Sequence, residues 1–254
     1  MTHILTHQEQ GVTTLTLNRL ESKNALTGAM YAALADALEN AATDPNQRAV
    51  LIQGHAQVFT AGNDISDFLN NPPQSADAPV HRFLQAIATF PKPIVAAVCG
   101  PCVGVGTTLL LHCDLVYAGD NAMFALPFVN LGLCPEAGSS LLLPALMGHQ
   151  RAAQALLLGD PFNAEAALEV GMVNSVLPPT EVNAYAQQQA QRLAQKPLEA
   201  LMQSKRLMKL PRQAQVEAAM VAEGEIFSKL LLAPAAKEAF AAFIEKRKPD
   251  FSKV

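Results

Sequence analysis

The chain has 254 residues, of which 50% are hydrophobic and 16% are charged, and its formal net charge is −4. A chain with this fraction of apolar residues can bury a core, which excludes intrinsic disorder. The net negative charge, with no cluster of basic residues, argues against a nucleic-acid partner. No apolar run approaches the roughly 18 residues of a membrane-spanning helix, and no basic-then-apolar segment opens the chain, so we expect neither a membrane protein nor a signal peptide.

The elements predicted for the first part of the chain alternate between strand and helix. Residues 3–18 alternate apolar and polar side chains on either side of Gly11, a pattern that predicts a β-hairpin. Thr27 is a typical N-cap residue, and the helical spacing of apolar side chains that follows it stops at Asp44. The further predicted elements are a buried strand over 49–52, a loop over 70–79, a helix over 80–90 and a buried strand over 94–98.

The second part of the chain continues the alternation and ends in helices. A helix is predicted from about Val105 and a strand over 115–117, and residues 180–248 have helical patterns almost throughout. Between them the predicted elements are helices over 139–147, 151–157 and 164–170 and a strand over 173–176. Because such alternation is typical of α/β architecture, we predict an α/β core over residues 1–195 and a helical subdomain over 196–254.

A pair of glycines at a predicted helix start is the first candidate binding feature. Gly104-Val105-Gly106 follows the strand that ends near Val98, and glycines on both sides of Val105 let a ligand approach the backbone closely. The first amides of a helix have no partner within it, so they can stabilise an anion. Tight packing between strand and helix is the other interpretation. The spacing is neither a dinucleotide fingerprint nor a phosphate loop.

Four cysteines, Cys99, Cys102, Cys113 and Cys134, lie within one central segment. The disulfides of a secreted protein are more widely spread, so we expect reduced thiols and a cytoplasmic protein. Cys99 and Cys102 have the C-x-x-C spacing of a redox pair, and a zinc site could combine them with His112 and Cys113. The redox pair is not favoured, because the predicted helix begins after the second cysteine. The zinc site is not favoured, because the adjacent residues His112 and Cys113 point in different directions.

Glu136 is the only acid between Asp120 and Asp160, and its neighbours are mostly apolar. A carboxyl group in apolar surroundings can have a raised pKa and move a proton near neutral pH. The alternative is an acid that stabilises a helix N-terminus through the helix dipole. The residues alone leave both interpretations open. Other polar residues are expected to be structural or exposed, namely Asp64 as a helix cap and His55, His81 and His149 at the surface.

A series of short motifs follows in order along nearly the whole chain. They are Leu17-Asn18-Arg19 with Lys23-Asn24-Ala25-Leu26, Phe59-Thr60-Ala61-Gly62-Asn63-Asp64-Ile65, Pro91-Lys92-Pro93-Ile94-Val95-Ala96-Ala97-Val98-Cys99-Gly100, Gly104–Asp114, Leu131-Gly132-Leu133, Ala166-Ala167 with Gly171-Met172-Val173, and Lys246-Arg247-Lys248-Pro249. Together they resemble the enoyl-CoA hydratase/isomerase (crotonase) superfamily. The ordered set is far more specific than any one motif.

The resemblance implies a crotonase-like α/β fold of repeated ββα units, with a helical C-terminal subdomain for trimerisation. A homotrimer or hexamer is therefore expected. The implied substrate is an acyl-CoA thioester, with coenzyme A present only as part of the substrate. By position within the motifs, the family's two oxyanion-hole amides fall on Asn63 and Val105. The residues expected to contact the substrate or its CoA are Lys23, Ala25, Ala61, Asp64, Ile65 and Gly104, with Phe243 and Lys246 near the CoA pocket.

The chain departs from the hydratases of this family at two positions. Those hydratases add water with two glutamates, whose positions fall on Thr108 and Phe128 here, so ordinary hydration is expected to be lost. Glu136 falls where the peroxisomal-type Δ3,Δ2-enoyl-CoA isomerases carry a single glutamate, and Pro127-Phe128 with Pro135-Glu136 resembles that branch. The resemblance therefore implies an isomerase of fatty acid oxidation that converts a 3-enoyl-CoA into a 2-trans-enoyl-CoA.

In the implied mechanism Glu136 moves a proton while the amides of Asn63 and Val105 stabilise the thioester oxygen, with no metal or redox cofactor. The side chains expected to line a dry acyl pocket are Phe124, Leu126, Phe128 and Leu133. Two alternatives stay open. One is another reaction of the superfamily, such as enoyl-CoA hydration or acyl-CoA hydrolysis, and the other is a non-catalytic acyl-CoA-binding module.

Overall fold

An antiparallel hairpin forms the first unit of the fold. The computed structural model describes residues 2–73, 75 and 77–254. Strands β1 (Ile4–Glu9) and β2 (Val12–Leu17) pair in antiparallel register, and the turn between them places Gln10 and Gly11 at φ of 51° and 77°. β1 is largely exposed, whereas β2 is buried along most of its length. The predicted hairpin is therefore confirmed.

The hairpin forms one edge of a six-stranded sheet. Its other members are β3 (Ala49–Gln53), β4 (Ile94–Val98), β6 (Leu115–Gly119) and β9 (Ser175–Leu177). The strand order is β1-β2-β3-β4-β6-β9, and every pairing after the hairpin is parallel. Parallel strands are covered on both faces, which explains why β3 and β4 are nearly continuous apolar runs rather than alternating ones.

Helices cover both faces of this sheet. The α-helices of the described chain are α1 (Gly28–Thr43), α2 (Ile65–Asn70), α3 (Pro79–Thr89), α4 (Val105–Thr108), α5 (Ser139–Met147), α6 (His149–Ala153), α7 (Ala164–Glu169), α8 (Val182–Ala194), α9 (Leu198–Lys209), α10 (Gln213–Leu231) and α11 (Pro234–Ile244), of which α1 and α3 cover one face of the sheet and α8 covers the other. Successive strand residues separate to opposite faces: Ile52 packs in the core with α1 and α3, and Leu51 packs under α8. Among the described residues, no helix combines the length and apolarity needed to cross a membrane.

A second, smaller sheet connects the main sheet to the candidate site. It contains β5 (Pro101–Val103), β7 (Met123–Ala125) and β8 (Phe162–Asn163) in the order β5-β7-β8. β5 and β7 are parallel, and β7 and β8 are antiparallel. These strands are too short to show a periodic pattern in the sequence. β5 follows directly from β4 and leads into α4, so the main sheet determines where α4 begins.

The C-terminal helices pack on the rest of the chain through an apolar cluster that is separate from the apolar residues on the two faces of the main sheet. Leu231 and Phe240, from α10 and α11, lie in this cluster together with Leu126, Phe128 and Leu133 from the segment after β7. The predicted boundary between residues 195 and 196 falls in the connection between α8 and α9, and the division into two domains stays a prediction.

The last strand differs from its predicted range. A strand was expected over 173–176, but β9 begins at Ser175. The N–H groups of Met172 and Val173 donate to the carbonyl of Ala167 at 2.9 and 3.2 Å, so these two residues close the end of α7 instead of joining the sheet. In the sequence, the apolar pair Met172 and Val173 at the end of a helix cannot be distinguished from the start of a strand.

Two other ranges differ in detail. The helix predicted over 151–157 is α6 followed by one π-helical turn at Gln154–Leu158. The loop predicted over 70–79 ends where α3 begins at Pro79, and its residues Gln74 and Ala76 lie outside the described residues. The helix predicted over 139–147 is confirmed without change as α5.

We expect Lys92→Met to destabilise the protein by roughly 3 kcal/mol or more. Lys92 is buried, and its Nζ donates to the carbonyls of Ala41, Asp44 and Gln47 at 2.6 to 2.7 Å, so methionine leaves three acceptors without their charged donor. Urea unfolding monitored by circular dichroism measures the change. The control is Lys196→Met at an exposed position, which should stay within about 0.5 kcal/mol of wild type. Equal free energies of unfolding for the two variants would contradict a stabilising role of the three Lys92 hydrogen bonds.

Candidate active site

Two backbone segments from different parts of the chain meet at the start of α4. The N–H of Thr60 donates to the carbonyl of Pro101 at 3.0 Å, and the N–H of Val103 donates to the carbonyl of Thr60 at 3.0 Å. A Cβ atom added to Gly106 would lie 2.4 Å from Cγ2 of Thr60, so only glycine permits this approach. The close packing brings the turn that contains Asn63 beside the first turn of α4.

The backbone N–H groups of Asn63 and Val105 are both free at this junction. Within residues 2–73, 75 and 77–254, neither has a hydrogen-bond acceptor, whereas the neighbouring amides of Gly62, Asp64 and Gly104 donate. Among the same residues, the amide of Gly106, the second of α4, has no acceptor either. Gly104 has φ of 56°, and a Cβ atom there would meet nothing within 4 Å, so space is open next to the start of α4. Two free amides beside open space are suited to stabilise a developing oxyanion.

Glu136 lies on a strained turn that precedes α5. Ala137 has φ of 59° and Gly138 has φ of 72°, and the left-handed conformation is costly for a residue other than glycine. Bonds from the core and from the turn itself hold this backbone. His112 donates from Nε2 to the carbonyl of Ala137 at 2.8 Å, and Ser139 donates from Oγ to the carbonyl of Glu136 at 2.6 Å. The strained backbone therefore determines the direction of the Glu136 side chain.

The Glu136 carboxyl group has surroundings that disfavour its charge. Burial raises its pKa from the ordinary 4.5 to about 7, and the hydrogen bond from Thr108 offsets only part of this effect while the nearby Glu223 adds to it. The Thr108 hydroxyl donates to Oε1 at 2.5 Å. A carboxyl group with a pKa near 7 can accept and return a proton at neutral pH.

Thr108 and Tyr31 connect Glu136 to the two free amides. Thr108 lies at the end of the short helix α4, whose first residue is Val105. The Tyr31 hydroxyl donates to the side-chain oxygen of Asn63, and the pKa of Tyr31 is raised well above its usual range by burial and, secondarily, by the Glu136 charge. These bonds place the carboxyl group and both amides in one small region. The catalytic roles of Glu136, Asn63 and Val105 stay a prediction.

The residues predicted to contact CoA lie along one edge of this region. Lys23 is exposed, and its carbonyl accepts the N–H of Ala61 at 2.9 Å, so the segment carrying Lys23 and Ala25 runs beside the Asn63 turn. Asp64 caps α2, as predicted. Burial raises the pKa of Asp64, but hydrogen bonds from the backbone N–H of Asp67 and the side chain of Arg19 outweigh this effect and lower it. Of the remaining members of the predicted set, Gly104 directly precedes Val105 and Ile65 lies two residues after Asn63. Contact with CoA stays a prediction for all of them.

The four side chains predicted to line an acyl pocket do not lie in one cluster. Phe124 stacks on Phe162 with ring centroids 5.4 Å apart and belongs to the core under α1. Leu126, Phe128 and Leu133 belong instead to the cluster with the C-terminal helices. All four are buried. Their role in acyl binding stays a prediction.

A cleft of about 460 Å³ lies between the core and the C-terminal helices. His112 and Leu142 line it from the core, and Val216 and Met220 line it from α10. Of these residues, the sequence singles out only His112, as a possible zinc ligand. The helical spacing of Val216, Met220 and Glu223 places them on one face of α10, but the sequence does not indicate that this face is turned inward.

The cysteines and histidines weighed as alternatives have other environments. All four cysteines are free thiols, and burial raises the pKa of Cys99 to about 11 and that of Cys102 further, which disfavours the thiolate that redox chemistry needs. The structure places no three potential metal ligands together among the residues it describes. Of the three histidines expected at the surface, His149 is exposed, whereas His55 and His81 are only partly exposed and Nε2 of His55 is buried.

Comparisons with known proteins show relatives that match nearly the whole chain. The sequence profile of the enoyl-CoA hydratase/isomerase family matches residues 7–253. The 2,3-dehydroadipyl-CoA hydratase of Escherichia coli (strain K12) is 34% identical over 252 residues, 99% of each chain. Enoyl-CoA delta isomerase 2 of Rattus norvegicus is 40% identical over 181 residues, 69% of this chain and 46% of the relative. The solved structure of Pseudomonas aeruginosa OdaA is 48% identical, has a TM-score of 0.94 and covers 96% of this chain and 99% of its own.

A crotonase fold with two free amides beside a buried carboxyl group defines an acyl-CoA enzyme of the crotonase superfamily. The chain belongs to the enoyl-CoA hydratase/isomerase family. The predicted family and fold are thereby confirmed. The relatives have both hydratase and isomerase names, so family membership does not by itself identify the reaction.

We expect Glu136→Gln to stabilise the folded protein by about 1–3 kcal/mol at pH 8. Because the folded-state pKa of about 7 exceeds the ordinary 4.5, the folded chain holds its proton longer than the unfolded chain does. Stability from this group is therefore fully present below pH 4.5 and is lost as the pH rises through 7. Glutamine removes that loss.

Urea unfolding of wild type and Glu136→Gln at pH 4.5 and pH 8 measures this difference. The advantage of the variant should appear at pH 8 and shrink toward zero at pH 4.5. A difference that does not depend on pH would mean that the carboxyl group is not enclosed as described.

Proposed function

We propose that the protein is a Δ3,Δ2-enoyl-CoA isomerase that uses Glu136 as its single acid–base group. The observation that carries the proposal is the buried Glu136 carboxyl group, with its pKa raised to about 7, beside the free amides of Asn63 and Val105. A double-bond shift needs one group that removes a proton and returns it elsewhere, together with a site for the negative charge formed between the two steps.

The proposed reaction has two proton transfers. Glu136 removes a proton from carbon 2 of a 3-enoyl-CoA, and the electron pair moves through the carbonyl group to the thioester oxygen, forming a dienolate. The N–H groups of Asn63 and Val105 donate to that oxygen. Protonated Glu136 then gives the proton to carbon 4 as the thioester carbonyl re-forms, which leaves the double bond between carbons 2 and 3. One oxyanion-hole donor typically contributes about 100- to 1,000-fold in rate.

The hydrogen bond from Thr108 supports a single-base mechanism. A hydratase of this family positions water between two glutamates, and one of those positions is Thr108 here. Its hydroxyl already donates to Glu136, and the position of the other glutamate is the buried Phe128. The other carboxyl group near Glu136, that of Glu223, already accepts the amides of Gly138 and Ser140, so proton transfer along the substrate is favoured over hydration.

Hydration is the second candidate reaction, because a full-length relative is named as a hydratase. In that case Glu136 alone would activate water. Incubation with a 2-trans-enoyl-CoA separates the two reactions, since hydration yields a 3-hydroxyacyl-CoA and isomerisation does not.

We expect the wild-type protein to convert 3-trans-hexenoyl-CoA into its 2-trans isomer and Glu136→Gln to be at least about 1,000-fold slower, because glutamine cannot accept the proton. Formation of the conjugated enoyl thioester is followed by its ultraviolet absorbance. The acid limb of the wild-type kcat/KM profile should have its midpoint near pH 7, because Glu136 must be ionised to act as the base.

The control for this experiment is binding of saturated hexanoyl-CoA, which Glu136→Gln should retain. Near-wild-type isomerisation by the variant would show that another group is the base. Wild-type formation of 3-hydroxyhexanoyl-CoA without isomerisation would replace the proposal with hydration.

The proposed assembly is a homotrimer or a hexamer in the cytoplasm, with acyl-CoA as the only small-molecule partner and no resident cofactor. Exposed apolar side chains on the C-terminal helices support an assembly. Leu207 and Met208 are 61% and 78% exposed at the end of α9, and Phe243 and Ile244 are 62% and 58% exposed at the end of α11. Large apolar side chains exposed next to each other on a helix are typical of an interaction site.

Light scattering after size exclusion should give a mass of about 81 kDa or twice that, since the chain is 27.0 kDa. The double variant Leu207→Glu and Met208→Glu should shift the mass toward the monomer, because buried charges without partners oppose association. Leu20→Glu, an exposed position outside these helices, is the control. A 27 kDa wild-type species at micromolar concentration would contradict the assembly.

A further inference from the structure

Glu223 brings a buried carboxyl group from α10 to the loop that carries Glu136. It is only 6% exposed, although the neighbouring Glu225 on the same helix is exposed. Burying an acid without polar partners is costly, so the groups that meet it are informative. They all lie at the beginning of α5.

Three donors from the Glu136 loop point at the Glu223 carboxyl group. Oε2 accepts the N–H of Gly138 at 2.6 Å, and Oε1 accepts both the N–H of Ser140 at 2.9 Å and its hydroxyl at 2.5 Å. The residue at the N-cap of α5 is Gly138, which has no side chain to cap the helix. Glu223 therefore serves as the cap from a distant helix, where a negative charge also interacts favourably with the helix dipole.

The capped turn is the same strained turn that aims Glu136. Ala137 and Gly138 are both left-handed, and this conformation persists only where surrounding groups hold it. His112 holds the carbonyl of Ala137 from the core side. On the amide side, the bonds to Gly138 and Ser140 come from Glu223, so the core and α10 hold the turn between them.

We propose that Glu223 is a positioning residue for Glu136: by accepting the amides of Gly138 and Ser140, it holds the loop so that the Glu136 carboxyl group stays at Thr108, beside the two free amides. This inference rests on the proposed function for the role of Glu136 as a base. It assigns to α10 a part in the site that none of the family motifs in the chain indicates.

The negative charge of Glu223 has a second effect on the site. Burial is the main reason that the pKa of Glu136 is raised, and the nearby Glu223 charge raises it further. The other groups that face Glu136 are Thr108, which favours its ionised form, and Tyr31 and Cys134, whose own pKa values are raised by burial and then by neighbouring acids. Removing the Glu223 charge should therefore move the titration of Glu136 to lower pH.

The test compares Glu223→Gln with Glu225→Gln, which makes the same substitution at an exposed site on the same helix. Two measurements are made on the full-length protein. The first is the pH profile of kcat and KM for isomerisation of 3-trans-hexenoyl-CoA. The second is hydrogen–deuterium exchange of residues 134–140 without substrate, read by mass spectrometry.

For Glu223→Gln we expect kcat to fall about 10- to 100-fold with KM within about twofold, since misplacing a catalytic group by about 1 Å has an effect of this order. The acid limb of the profile should move down by about 0.5 pH unit or more. Exchange at residues 134–140 should rise about tenfold or more as the loop opens locally. Glu225→Gln should match wild type in all three.

Identical behaviour of the two variants would overturn the proposal. Faster exchange with an unchanged kcat and pH midpoint would also overturn it, because Glu223 would then be a helix cap without influence on Glu136. If the wild-type chain does not isomerise, the proposed function fails separately, and the exchange comparison still decides whether Glu223 anchors the loop.

Discussion

The site depends on one costly arrangement, a carboxyl group enclosed by protein next to backbone N–H groups that have no acceptor. Burial disfavours the ionised form of Glu136. The left-handed Ala137 adds strain at the same place. The apolar core around the main sheet must supply the free energy that tolerates these costs. Such a site is stable only inside a fold with stability to spare.

The topology explains why the components of the site meet. The main sheet sends β4 into β5, and β5 leads through Gly104 to the first turn of α4. The turn carrying Asn63 runs alongside β5 because Thr60 exchanges backbone hydrogen bonds with Pro101 and Val103. Because Gly106 has no side chain, α4 lies closer to Thr60 than any other residue at this position would allow. Backbone hydrogen bonds, rather than side-chain contacts, therefore set the spacing of the two amides.

Much of the fold could be predicted because its parallel strands are buried on both faces and its helices begin at recognisable residues such as Thr27. Glu136 was also visible as a lone acid in apolar surroundings. The partners of Glu136 were not visible, since a hydrogen bond from Thr108 or a neighbour such as Glu223 depends on packing between elements far apart in the chain. The separation of Phe124 from Leu126 has the same cause, because one residue faces the sheet core and the other faces the C-terminal helices.

The bond between Gly138 and Glu223 joins residues 85 positions apart, which has a consequence for synthesis of the chain. Asn63, Val105 and Glu136 all leave the ribosome well before α10 is made. A nascent chain that has folded its central sheet therefore holds each reactive group but lacks the anchor for the loop. Acquisition of the fold and acquisition of a complete site are then separate events, and the second waits for the last quarter of translation.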